Sequence, residues 1–289
     1  MTTVTTNPET LGSVQKTLLL PLWGRAVESK KPHPLLVDPA AVRIVASMDY
    51  DFSTIAANIS FVSQLAWIAR SLHIDRTIRE VLSWHPTATI VNLGCGLDTT
   101  FERVDNGTLR WYDLDLPDVI QLRSNYIQPG PRRQFIACSI LDDTWMNLFN
   151  VGSSVLFIAA GVLYYFEEDQ VRSLLNKLAD RFPESELVFD ACSPRGLRIA
   201  NKRVIEDGGM DASAQLKWGI SNATEIREWD RRIAILSEYP LFRGLKKSLS
   251  VKEKWGTFLS DTLGIMAMIH LRMAGTQGPA STVFSARAD

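Results

Sequence analysis

Val91-Asn-Leu-Gly-Cys-Gly-Leu-Asp-Thr-Thr-Phe101 is the stretch that decides the fold. It overlaps a short β-branched run, Ala88-Thr-Ile-Val-Asn-Leu93, which predicts a strand that stops at Gly94-Cys95-Gly96. Gly94 and Gly96 permit a tight turn and let the backbone approach a ligand at the carboxyl edge of the strand, where α/β sheets bind ligands. On the glycines alone, a plain strand-to-helix turn fits as well. A dinucleotide site asks for a further glycine three residues after Gly96, and that position is Thr99. The loop is a poor NAD fingerprint and suits a smaller, phosphate-free nucleoside ligand.

Similar short apolar runs follow at Leu109–Tyr112, Gln134–Cys138, Ser154–Ala159 and Glu186–Asp190. Between the last two, residues 167–181 predict a helix with Val171, Leu174, Leu175 and Leu178 on one face. Strands alternating with helices mean βαβ units and a parallel sheet. Upstream, Leu18 to about Trp84 reads as mostly helical. Phe61, Leu65, Ile68 and Leu72 mark one apolar face, and Asp75 is expected to cap a second helix that ends at His85-Pro86. Downstream, Thr224–Ser237 reads as a helix and Leu263–Met273 as a late strand. The expected division is a helical cover over 1–85, a Rossmann-like core over 86–192, and a substrate-side insertion completing the sheet over 193–289, all one structural domain.

The second motif is Trp111-Tyr-Asp-Leu-Asp-Leu-Pro117, which sets Asp113 and Asp115 nineteen and twenty-one residues beyond Gly94. An acid at the end of the second strand is placed to accept hydrogen bonds from both ribose hydroxyls. Asp115 is preferred for this role, because Pro117 fixes the chain at the strand end. After the third strand, Ile140 can pack on a purine, with Ser139 or nearby backbone reading its edge. A glycine loop, a ribose acid and this third pocket describe a nucleoside site. S-adenosyl-L-methionine (SAM) fits it better than NAD, since nothing is devoted to a pyrophosphate.

Composition narrows the class. The chain has 289 residues, 31 Lys+Arg against 32 Asp+Glu, and 46% hydrophobic residues, an ordinary globular make-up. The near-neutral balance argues against a nucleic-acid partner. Three widely spaced cysteines suit a reducing compartment and exclude a disulfide scaffold. The Met1-Thr-Thr-Val opening lacks the features of a leader, and the apolar run Val155–Phe166 is too short to span a bilayer, so a cytoplasmic protein without a membrane partner is expected. No metal-ligand spacing and no nucleophile motif is present, and His33, His73, His85 and His270 lie far apart. No metal is expected. The sequence leaves the oligomeric state open.

The runs Ile90–Phe101, Asp115-Leu-Pro117 and Phe157-Ile-Ala-Ala-Gly-Val-Leu-Tyr-Tyr-Phe166 resemble the leucine carboxyl methyltransferase family, which includes tetracenomycin-type polyketide O-methyltransferases. Gln15–Ala26 is similar to the N-terminal segment of the bacterial polyketide-type branch. The resemblance covers most of residues 12–192 and implies a SAM-dependent methyltransferase fold: a mostly parallel seven-stranded sheet with a C-terminal antiparallel strand and an N-terminal helical extension. It also implies SAM contacts. Arg70, in Ala69-Arg70, holds the methionyl carboxylate; Gly94 and Gly96 form the loop; Asp115 with Leu116 takes the ribose; Ser139 and Ile140 take the adenine side; Lys16 matches the family's N-terminal lysine.

One position departs from the family pattern. After the fourth strand the family commonly has a glutamate, and here Ala160 stands there. Either Asp98 or a backbone carbonyl takes over that contact, or SAM binding is weak or lost. Tyr164 and Tyr165 follow the strand-four edge and can orient an acceptor, while Trp218, in a turn-rich, exposed-looking segment, is a candidate for the acceptor pocket. The resulting expectation is a SAM-dependent O-methyltransferase that yields S-adenosyl-L-homocysteine and acts on a carboxylate or hydroxyl of a small-molecule, polyketide-like acceptor. A protein C-terminal carboxylate as acceptor, and a SAM-binding protein without catalysis, are the alternatives.

Overall fold

The computed structural model describes residues 8, 11–148, 154–245 and 249–274. The Met1 opening read above for a leader lies outside them. Five helices precede the first strand: α1 (Ser13–Lys16), α2 (Leu19–Ser29), α3 (Pro39–Ser47), α4 (Ser53–Asn58) and α5 (Phe61–Trp84). Then β1 (Thr89–Leu93), α6 (Thr100–Val104), β2 (Arg110–Asp115), α7 (Pro117–Ser124), β3 (Arg133–Ala137), β4 (Val155–Ala159), α8 (Glu168–Arg181) and β5 (Glu186–Cys192) follow in alternation. The tail adds α9 (Pro194–Ala200), α10 (Thr224–Trp229), β6 (Ile233–Pro240), α11 (Val251–Thr262) and β7 (Met266–Met273).

Among the described residues the strands form one seven-stranded sheet, ordered β3-β2-β1-β4-β5-β7-β6. β1 to β5 pair in parallel, and β7 runs antiparallel to both β5 and β6. The chain winds outward through β2 and β3, then returns to the other side of β1 with β4, so a crevice opens at the carboxyl ends of β1 and β4. Period-two alternation divides the core. Val91, Leu93, Phe157 and Phe189 pack with α8, whereas Ile90, Leu156, Ile158 and Val188 pack with α5.

Two sequence expectations give way here. Asp75 caps nothing: α5 runs unbroken for 24 residues from its Ser60 cap, whose Oγ accepts from the Ser63 amide. No glycine or proline interrupts it, and Asp75 is buried, taking both Nε and Nη2 of Arg103 at 2.8 and 2.9 Å. Thr224–Ser237 is helical only to Trp229, since β6 starts at Ile233 and binds the edge of β7. No described helix is long and apolar enough to cross a membrane.

Candidate active site

The crevice is a cavity of about 860 Å³, within the range of small-molecule sites. Its floor is the β1 loop. Gly94 and Gly96 both have positive φ, and a Cβ on Gly94 would lie 2.5 Å from Val162 Cγ2, so glycine is required there twice over. The amides of Gly94 and Cys95 both donate to the Leu114 carbonyl, which ties the loop to β2.

Arg123, fully buried on α7, clamps the loop from below. Its Nη1 donates to the Gly96 carbonyl and its Nη2 to the Asp98 carbonyl, both at 2.8 Å, while Nη2 also pairs with Asp113 at 3.0 Å. Asp113 accepts further from Trp111, Asn92 and Arg133, which makes it the buried counter-ion of this framework. Asp115, by contrast, lines the cavity. Its carboxylate accepts from the Gly96 amide at 2.7 Å and from the Leu116 amide at 2.8 Å. Burial outweighs those two bonds and pushes its pKa up to about 6.

Asp98 also lines the cavity, held by Asn92 and by the amide and hydroxyl of Thr100. Burial disfavours its charge, but Arg25, Arg103 and Arg123 overcome that and hold its pKa below the ordinary aspartate value. Of the described lining residues, Asp98 and Asp115 are the two carboxylates. Ala160 lines the cavity as well, so its wall carries a methyl group at that point.

Beside Ala160, Gly161 has a positive φ, and its amide donates to Asp190 Oδ1 at 2.6 Å. Arg70 lies across it; a Cβ at Gly161 would sit 2.5 Å from Arg70 Nη1. That nitrogen donates to Asp190 Oδ2 at 2.9 Å and to the Tyr164 hydroxyl at 3.2 Å. Burial works against the guanidinium charge, and Asp190 with Tyr164 more than restores it.

The cover closes the cavity from above. Leu18 stands over Gly96, Tyr165 donates its hydroxyl to Thr17 Oγ1 at 2.9 Å, and Arg25 Nη2 donates to the Leu97 carbonyl at 3.0 Å. Asp38, buried at the start of α3, takes Arg25, Thr99 and Arg103 on one oxygen and the Ala41 amide on the other.

The fold thus brings Arg70, Gly94, Gly96, Asp98, Asp115, Leu116, Ser139, Ile140, Ala160, Tyr164 and Tyr165 onto one cavity wall. Two residues named from the sequence are elsewhere. Lys16 ends α1 off the cavity lining, where its charge acts on Asp211. Trp218 is not exposed: it is 3% accessible, stacks on Phe189 at 6.3 Å and tilts against Trp229, so it belongs to the core beneath β5. The sequence reading passed over Asp190 and Arg123. An acid ending an apolar strand run was the available signal for Asp190, because carboxyl strand ends face the crevice.

A family model described as leucine carboxyl methyltransferase matches residues 19–179. The tetracenomycin polyketide synthesis O-methyltransferase of Streptomyces glaucescens is 32% identical over 218 residues, covering 75% of this chain and 78% of that protein. The chain belongs to the leucine carboxyl methyltransferase family. An S-adenosyl-L-methionine-dependent methyltransferase of Gibberella zeae is 33% identical over 257 residues, covering 80% of this chain and 85% of that one. In fold, the chain is similar to a crystal structure from Thermobifida fusca provisionally assigned as a methyltransferase. That likeness has a TM-score of 0.57 and 15% identity, over 89% of this chain and 95% of the other. The chain is therefore a SAM-dependent methyltransferase built on the α/β, Rossmann-like sheet.

Proposed function

We propose that this methyltransferase esterifies the carboxylate of a small-molecule acceptor. The observation that carries the reading is the chemistry of the lining residues. The described wall holds no histidine, lysine or glutamate. Burial pushes the Tyr165 hydroxyl and the Cys192 thiol each up to about 12, and raises the Tyr164 hydroxyl well above the usual phenol value. None of these groups takes a proton near neutral pH, and the two lining carboxylates, Asp98 and Asp115, are assigned to SAM in this reading. A carboxylate acceptor is already ionised and needs no base.

The residues fit SAM. Arg70 is a five-donor fork, and Asp190 and Tyr164 anchor its Nη1 while the side chain lines the cavity, which suits it to an amino-acid carboxylate. Asp115 and Leu116 face the ribose, Ser139 and Ile140 the adenine, and Asp98 is the ionised group that offsets the sulfonium in place of a glutamate at Ala160. Bound SAM supplies an activated methyl group; a carboxylate oxygen forms the new C–O bond as the S–C bond breaks, leaving S-adenosyl-L-homocysteine. The chain's part is to align the acceptor oxygen behind the methyl carbon and to exclude water, effects worth up to about 7–11 kcal/mol. Tyr164 and Tyr165 orient the acceptor, and the cover provides the exclusion.

The test combines calorimetric titration with S-adenosyl-L-homocysteine, using NADH as control, and turnover of labelled SAM on paired carboxylic acids and phenols. Binding of the first nucleoside alone, with an alkali-labile methyl ester as product, is the expected outcome. An alkali-stable ether would move the acceptor to a hydroxyl. Asp115→Ala is expected to weaken S-adenosyl-L-homocysteine binding by about 1.5–3 kcal/mol, the scale of charge-assisted hydrogen bonds, and unchanged affinity in that titration would remove the ribose role.

The pH dependence of the same titration follows from Asp115. Ribose hydroxyls donate to the ionised carboxylate, so the bound state has the lower pKa. Below the free-state value of about 6, binding must displace a proton. Affinity should then fall as pH drops from 7 to 5, with a limiting slope of about tenfold per unit, and Asp115→Asn should flatten the profile. The stability contribution has the opposite sign: because the folded pKa is raised, ionised Asp115 costs stability that builds between the ordinary aspartate value and about 6.

A further inference from the structure

Helix α11 is amphipathic with its faces reversed. Thr257 is its fully buried residue, with Gly256, Ser260 and Asp261 half-buried around it. Val251, Trp255, Phe258 and Leu259 are 74%, 71%, 51% and 57% exposed. Their spacing of i, i+4, i+7 and i+8 sets all four on one side of the helix, the side turned to solvent. Trp255 and Phe258 pack edge to face, with ring centroids 6.3 Å apart. Phe61, 37% exposed at the start of α5, adjoins Gly256 and widens the apolar area. Contiguous exposed apolar surface of this kind marks an interaction site.

The charges around the face are sorted by sign. Both carboxylates of α11 are tied to backbone amides: Glu253 Oε2 accepts from Ser250 at 2.8 Å in a capping box, and Asp261 Oδ1 accepts from Phe242 at 3.2 Å. Lys254 is exposed beside Trp255 and Arg243 is exposed just after β6, while Lys31, 42% exposed and within electrostatic reach of Glu253, is paired with Glu28 at 2.6 Å.

An outward aromatic stripe rimmed by cations is the make-up of a helix that lies in a membrane interface. We propose that the α11 face is a peripheral docking surface for an anionic lipid bilayer, with Trp255 and Phe258 entering the interface and Lys254 meeting the headgroups. A self-complementary contact across the same face would bring like-charged rims together. At 12 residues the helix lies on a bilayer and does not cross it, so the proposal concerns surface contact and not a span. Gly256, Leu259 and Ser260 of this helix line the cavity, so docking sets the cavity mouth against the lipid.

The test is co-sedimentation of the full chain with phosphatidylcholine vesicles, with and without phosphatidylglycerol, for the wild type, Trp255→Ser/Phe258→Ser and Lys254→Glu. The expected result is pelleting with the phosphatidylglycerol vesicles, little with phosphatidylcholine alone, and partial release by salt. The double variant should partition at least about tenfold more weakly, and Lys254→Glu should weaken in the same direction. Circular dichroism checks that both variants fold. Wild type that stays in the supernatant with anionic vesicles would overturn the proposal, as would equal pelleting of all three proteins. A wild-type dimer that the double variant dissociates, without vesicle binding, would assign the face to a second copy and overturn it too.

Discussion

Replacing Asp190 by alanine is expected to lower the unfolding free energy by about 3–5 kcal/mol, the cost of removing one partner from a buried ion pair. Both of its oxygens are engaged inside the protein: Oδ2 pairs with Arg70 at 2.9 Å, and Oδ1 takes the Gly161 amide at 2.6 Å. Asp190 is 1% and Arg70 7% exposed, so neither the guanidinium nor the amide can turn to bulk water when the carboxylate goes. Asp190→Asn keeps the volume and one acceptor, and should fall between the wild type and the alanine variant. Urea unfolding with an unchanged m-value is the measurement. A loss under about 1 kcal/mol would show that Arg70 had found other partners. Affinity for S-adenosyl-L-homocysteine should drop in parallel, because Arg70 then lacks the anchor that fixes its fork.

Arg123→Met has an expected cost of similar size, about 3–5 kcal/mol, for the same physical reason. The substitution fills most of the space but strips the carbonyls of Gly96 and Asp98 of their donor and leaves Asp113 with Arg133, Trp111 and Asn92. The second effect separates Arg123 from an ordinary core residue. Without the clamp, the Gly94–Asp98 loop has to be ordered by the ligand, so affinity should fall on the order of tenfold even where the protein remains folded. Calorimetry well below the unfolding midpoint checks this. Unchanged affinity alongside lost stability would reduce Arg123 to a structural role.

These two residues also explain what the sequence made legible. The β1 loop and Asp115 could be read because their signatures are local: paired glycines at a strand end, and an acid before Leu-Pro at a fixed distance. Arg123 has no such signature, and the acid that ends an apolar run at Asp190 says nothing of its partner. Arg70 and Asp190 are 120 positions apart, and only the winding of the sheet brings them together. Trp218 was read as exposed because a lone aromatic among turn residues has no periodicity to reveal what it packs on. Thr224–Ser237 misled for the opposite reason, since its apolar residues match both a helix face and an edge strand until β7 supplies the hydrogen-bonding partner. Asp75 looked like a cap because its real partner, Arg103, lies 28 positions away.

The cluster around Asp38 bears on how such proteins can be recombined. That single buried carboxylate takes Arg25 from the cover, and Thr99 and Arg103 from the segment that follows the glycine loop. A chimera that replaces the chain only through α3 would leave Arg103 beside Asp75 with half of its paired counter-charge gone. Cover and core are therefore not interchangeable parts: any exchange of substrate-facing helices has to carry Asp38 and Arg25 along as a pair, or begin downstream of them.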